Sequence, residues 1–153
     1  MKFSTRQDTD LAADALFRAV SDFPRLERIL LRRGATVRRV DGNPQPGRGN
    51  AWQIGFDWRG KQRDLSLKVA TFNPPQQLTF AGQSEQFNID VQITVVALTP
   101  TKSRLIFEVD VQPRGMKARL MLQTAKLGKA QLDRKFSQRI GEFVDRLAAE
   151  QYT

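Results

Sequence analysis

Two periodicities divide the chain. Between residues 35 and 112 apolar side chains recur at alternate positions, and on either side of that region they recur at intervals of three and four. Alternation sends successive side chains to opposite faces of a strand, whereas three-to-four spacing gathers them on one face of a helix. The outline is therefore a helical segment, a run of strands, and a second helical segment.

Residues 3 to 8 are short, mixed and extended in character, and the Thr9-Asp10 pair after them offers an N-cap for a helix from Leu11. Ala13, Leu16, Phe17 and Val20 form its buried face. Ser21-Asp22 breaks this helix and caps a second, with Pro24 tolerated in the first turn and Gly34 as the stop. The second helix turns Leu26, Ile29 and Leu30 inward and carries Arg25, Arg28 and Arg32 on another side.

Six strands follow from the alternating pattern. The first spans Ala35 to Asp41 and ends in the breaker-rich loop 42–50. Trp52, Ile54, Phe56 and Trp58 alternate with polar residues up to the Arg59-Gly60 turn, and Leu65, Leu67 and Val69 continue to Asn73-Pro74-Pro75. Leu78 and Phe80 mark a short strand. Phe87, Ile89, Val91, Ile93 and Val95 mark a long one, and Leu105, Phe107, Val109 and Val111 follow the Thr99-Pro100 turn. From Met116 to Glu150 good helix formers predominate, interrupted by Gly128 and Gly141, with Leu132, Phe136, Ile140, Phe143, Val144 and Leu147 as an apolar stripe. A sheet with one apolar face must cover it, and this long helix is the element able to do so. The fold class is thus α+β: a seven-stranded, curved antiparallel sheet wrapped around a long C-terminal helix, with two short helices after the first strand. A strongly twisted sheet cannot touch one helix everywhere, so the space between them is filled by side chains or by a ligand.

That order of elements resembles the START-like (Bet v 1-like, helix-grip) superfamily, in particular polyketide cyclase/dehydrase and lipid-transport relatives. The likeness rests on residues 13–24, the glycine-containing loop before Ala51-Trp52, the Asn73-Pro74-Pro75-Gln76-Gln77-Leu78 turn, the Leu98-Thr99-Pro100 turn and the helix after Gly115. Phe17-Arg18-Ala19-Val20-Ser21-Asp22-Phe23 is also similar to a stretch of the coenzyme-Q-binding group and its ribosome-association relatives. The resemblance spans nearly all of residues 1–153, implying a single domain, and its motifs are structural punctuation rather than chemistry. It implies a cup whose strand residues Trp52, Ile54, Phe56, Leu67, Val69, Phe80, Val91 and Phe107 face Met116, Leu120, Met121 and Leu127 of the helix. Such a lining suits a flat or extended apolar ligand, although the same side chains equally serve a solid core.

Composition narrows the chemistry. The 153 residues include neither cysteine nor histidine, which removes disulfides, thiol nucleophiles, imidazole bases and the usual zinc ligands. No metal, cofactor or catalytic residue is expected. Asp57, Asp64, Asp90, Glu108 and Asp110 alternate with apolar neighbours and should face solvent, and the sole tyrosine is Tyr152, near the end. The first residues contain no apolar signal segment, and no apolar run approaches the roughly 20 residues of a spanning helix, so a cytoplasmic protein with no membrane span is expected.

A net charge of +9 makes an anionic partner, RNA or lipid head groups, physically reasonable. Arg25, Arg28 and Arg32, with Arg33, Arg38 and Arg39 nearby, are the candidate contacts, as are Lys126, Lys129, Arg134, Lys135 and Arg139 on the last helix; all could also be ordinary solvated faces. Gly47-Arg48-Gly49 lacks the following Lys-Ser/Thr and helix of a phosphate loop and reads as a flexible pocket rim. The leading expectation is a non-catalytic carrier or sensor of a hydrophobic small molecule, such as a lipid, quinone or polyketide-like compound. The alternatives are a basic RNA- or ribosome-associated module and, third, a cyclase-like enzyme.

Overall fold

The computed structural model describes residues 1–151; Tyr152 lies outside the described residues. In chain order the elements are β1 (Lys2–Thr9), α1 (Ala13–Val20), α2 (Phe23–Arg32), β2 (Thr36–Arg39), β3 (Ala51–Trp58), β4 (Lys61–Asn73), β5 (Gln77–Ser84), β6 (Phe87–Thr99) and β7 (Lys102–Pro113). Then come α3 (Met116–Ala125), a 3-10 turn (Lys126–Gly128) and α4 (Lys129–Gln151). The strands form one sheet in the order β1-β7-β6-β5-β4-β3-β2, antiparallel throughout.

This order explains the cup. β1 and β2 are opposite edges, so α1 and α2 carry the chain across one end of the sheet before β2 to β7 return as successive hairpins. At the β3–β4 hairpin Arg59 and Gly60 both have positive φ, 53° and 75°, the backbone form whose twist matches the strands it joins. The Asp22 carboxylate accepts the Arg25 N–H as the cap of α2, and Gly34 closes that helix with φ 91°.

Helix α1 starts later than the Thr9-Asp10 pair suggests. Its N-cap is Ala12, which has no side-chain cap, because Thr9 is still paired with Ser103 in the sheet. The helix is fixed instead by burial of Leu16, Phe17, Ala19 and Val20.

The loop between β2 and β3 is tied down rather than loose. Asp41 accepts hydrogen bonds from Arg39, from the Asn43 and Ala51 backbone N–H groups and from the Asn50 amide. Asn50 is fully buried, and its carbonyl side-chain oxygen accepts the Gly47 N–H at 2.7 Å. Arg39 above all, then Ala51, holds the Asp41 carboxyl well below the usual carboxylate range.

The C-terminal helix is seated through a polar seam. Thr5 and Ser137 hydroxyls lie 2.9 Å apart, and the Gln7 amide donates to Thr5 and to the Ser137 carbonyl. A Cβ at Gly141 would stand 3.2 Å from the Gln7 oxygen, so this glycine is where α4 approaches β1 closely.

Candidate functional site

Aromatic side chains close one end of the cup. Phe23 at the start of α2 meets Trp52 at 5.1 Å, Phe80 at 6.1 Å and Phe72 at 6.5 Å, all edge-on, and Phe17 of α1 meets Phe72 at 5.6 Å. Edge-on pairs set the partial positive ring rim against a negative face. Phe23, Leu16, Leu78, Leu105, Val144 and Leu147 are fully buried around this end.

Beside that closed end the packing opens into a cavity of about 400 Å3. Its floor is Trp52 and Ile54 of β3, Leu67 of β4, Phe80 of β5, Val91 and Ile93 of β6 and Phe107 of β7. Val20 and Phe23 border the closed end, and Val37 of β2 completes the sheet side. Leu26, Ile29 and Leu30 of α2 form one wall, and Ile140 and Phe143 of α4 form the other. The volume lies within the range of about 300–1,000 Å3 common for small-molecule sites.

Glu27 is the one charged residue on the lining, and its carboxylate is already engaged. It accepts the Trp52 indole N–H at 2.7 Å, with the Arg39 guanidinium 3.8 Å away and 5.1 Å above the Trp52 ring. These contacts tether α2 to β2 and β3 and engage the charged side chain that the described residues place on the cavity lining. Among the described residues no three potential metal-ligating side chains cluster.

At the level of sequence, no family model and no curated protein matches this chain. Solved structures do match. TTHA0849 from Thermus thermophilus superposes with a TM-score of 0.71 at 10% identity, covering 98% of this chain and 99% of that one. The Zhui aromatase/cyclase of a Streptomyces species gives 0.66 at 10% identity, with 98% and 92% covered. A START superfamily protein from Mycobacterium smegmatis gives 0.56 at 16% identity, with 91% and 98% covered. The chain has the START-like, Bet v 1-like helix-grip fold.

Within this START-like cup the strand residues and the helix residues fare differently. Trp52, Ile54, Leu67, Phe80, Val91 and Phe107 line the cavity. Val69 is fully buried in the neighbouring core, and Phe56 lies further along the sheet in a smaller hollow of about 160 Å3 with Trp58 and Phe87. On the helix side the expected wall is not there. Met116, Leu120 and Leu127 are 67%, 56% and 90% exposed, and Met121 is half-buried but off the cavity.

The reason is helical phase. α3 turns Ala118, Met121, Leu122 and Ala125 toward the protein, a face spaced at three and four, which leaves Met116 and Leu120 outside. The 3-10 turn then advances the chain by about 120° per residue instead of about 100°, so α4 presents a new face. The wall falls to Ile140 and Phe143, both members of the apolar stripe of the sequence but more than a turn beyond the residues expected to line the cup.

Charge gathers next to the cavity. Arg25, Arg28, Arg32 and Arg33 of α2 and Arg139 and Arg146 of α4 line one cleft of about 210 Å3, together with Glu142 and Glu150. Arg25 reaches Glu150 at 3.1 Å and Asp22 at 3.8 Å, while its Nη1 is buried without a hydrogen-bond partner. Other hollows, of about 780 and 640 Å3, lie against the outer face of the sheet among Arg38, Gln53, Asp64 and Ser66 and among Thr79, Asp90, Gln92 and Glu108. These residues alternate with the inward ones, so the hollows follow from the sheet's curvature rather than from an enclosed space.

Proposed function

We propose that this protein binds a hydrophobic small molecule, such as a lipid, an isoprenoid quinone or a polyketide-like compound, as a non-catalytic carrier or sensor. The observation that carries this reading is the cavity of about 400 Å3 whose lining is apolar except for the already engaged Glu27. Transfer of an apolar molecule into such a space removes apolar surface from water at about 25 cal/mol per Å2, and the aromatic floor offers broad contacts. Neighbours of this fold include an aromatase/cyclase, but steering proton transfers takes polar groups inside the cup, and this lining provides none that is unoccupied. Among the described residues no helix is long and apolar enough to cross a membrane, and a cytoplasmic setting belongs to the same reading, since a chain without cysteine has no disulfide for a reducing compartment to break.

Native mass spectrometry of the purified protein, followed by thermal shift against a panel of lipids, quinones and polycyclic aromatics, tests it. The expected result is a co-purifying apolar species or a stabilising panel member. Ligand-free protein that no panel member stabilises would overturn the proposal.

A further inference from the structure

The arginine cleft and the apolar cavity are not separate features. Ile29 and Phe143 line both, one from α2 and one from α4. The two compartments therefore share a border made by one residue of α2 and one of α4. Six arginines face two glutamates across the cleft, and one of its guanidinium nitrogens, Arg25 Nη1, is buried with no acceptor. A buried donor without a partner calls for one, and like charges brought together call for a counter-charge.

Resting on the cavity as a ligand site, we infer that the ligand is an anionic amphiphile, a molecule with an apolar body in the cavity and a phosphate or carboxylate head between α2 and α4 among Arg25, Arg28, Arg32 and Arg139. Guanidinium groups suit such heads because their planar fork matches two oxygens at once. The cleft's small volume favours a single head group over a length of nucleic acid strand, which would follow an extended basic track with stacking platforms. Fatty acids, phospholipids and isoprenyl phosphates all share this chemistry, an anion at the end of an apolar chain.

The experiment compares dodecyl phosphate, dodecanoate, dodecanol and inorganic phosphate on the full chain by calorimetry, below the micelle concentration and at two salt concentrations. Both anionic amphiphiles should bind more tightly than dodecanol by about tenfold or more, as charge-assisted hydrogen bonds to a head group require. A clear preference between them names the head group.

The double variant Arg28→Gln/Arg32→Gln, at exposed positions, should remove that preference while dodecanol binding persists. Lys61→Gln/Lys68→Gln, which removes equal charge on the sheet, should retain it. Dodecanol binding as tightly as the anions, or a preference untouched by the arginine variant, would overturn the inference and leave the cavity reading standing. Failure of all three chains to bind would overturn both. Salt-dependent binding of an RNA oligonucleotide that dodecyl phosphate does not displace would assign the arginines to nucleic acid instead, and so also overturn it.

Discussion

Replacing Val91 by Phe asks whether the space over the sheet is usable. Val91 stands in β6 opposite Phe80 of β5 and Val109 of β7, and it forms part of the cavity floor. The substitution exchanges two methyl groups for a phenyl ring, roughly four more carbons, each worth about 0.8 kcal/mol if fully buried. The ceiling is therefore about 3 kcal/mol of added stability. Compact unfolded chains already shelter part of that surface and the cavity is partly open, so a gain of about 0.5–1.5 kcal/mol is the expectation. In a close-packed interior the same ring would instead force off-rotamer neighbours and cost about 1–3 kcal/mol. The sign thus separates a cavity from a solid core. At about 2–4 °C per kcal/mol for a chain of this size, the melting temperature should rise by about 1–6 °C. Urea unfolding of the wild type and variant supplies the free energies, and thermal shift with dodecanol supplies the second readout, which the ring should diminish by occupying the ligand's volume. A variant destabilised by more than about 1 kcal/mol whose dodecanol shift is undiminished would refute the reasoning.

Asp41→Asn removes the carboxylate at the centre of the β2–β3 loop. Because the folded protein holds Asp41 below its usual range, folding favours the ionised form: that contribution is complete above the unfolded value of about 4 and fades as pH falls from there toward the folded value. The variant should be less stable than the wild type at neutral pH, with the gap between their urea midpoints narrowing below about pH 4; parallel midpoints across pH would count against Asp41 as the loop's anchor. Leu127→Glu, at a position 90% exposed, should change stability by no more than about 0.5 kcal/mol and leave dodecanol binding intact. Loss of binding in that variant would return the ligand to the helix start.

What was legible in the sequence is what local chemistry determines. The alternation from Phe87 to Val95 became β6, Asp22 and Gly34 bound α2, and Arg59-Gly60 turned the β3–β4 hairpin. Leu26, Ile29 and Leu30 were readable as the inner face of α2 because their spacing lies within one helix. The helix wall was not readable in the same way. Choosing Ile140 and Phe143 over Met116 and Leu120 depends on where along the helical segment from Met116 to Gln151 the sheet is met, and on a 3-10 turn that shifts its phase. The seam of Thr5, Gln7 and Ser137 joins residues 130 or more apart, and the burial of Asn50 depends on strand β4, whose Val69 N–H donates to the Asn50 carbonyl at 2.8 Å. No window of local sequence contains either. Composition announced the positive charge, but its concentration between α2 and α4 arises only when two segments distant in the chain meet.

Close packing and open space lie at different ends of the cup. Phe23, Leu16, Leu78, Leu105, Val144 and Leu147 are fully buried where α1 and the end of α4 cross the sheet, and each large side chain of this kind contributes about 1.5–3 kcal/mol. That end holds the fold without help from the cavity. The Glu27 carboxylate, which accepts the Trp52 indole N–H and lies close to Arg39, fixes α2 to β2 and β3 beside the open part of the sheet. The same helix then divides its labour by face: Leu26, Ile29 and Leu30 bound the apolar space, while Arg25, Arg28 and Arg32 bound the charged one. The contacts that fix α2 to the sheet are thus polar ones at Glu27, and the apolar side chains on the same helix border the cavity without filling it.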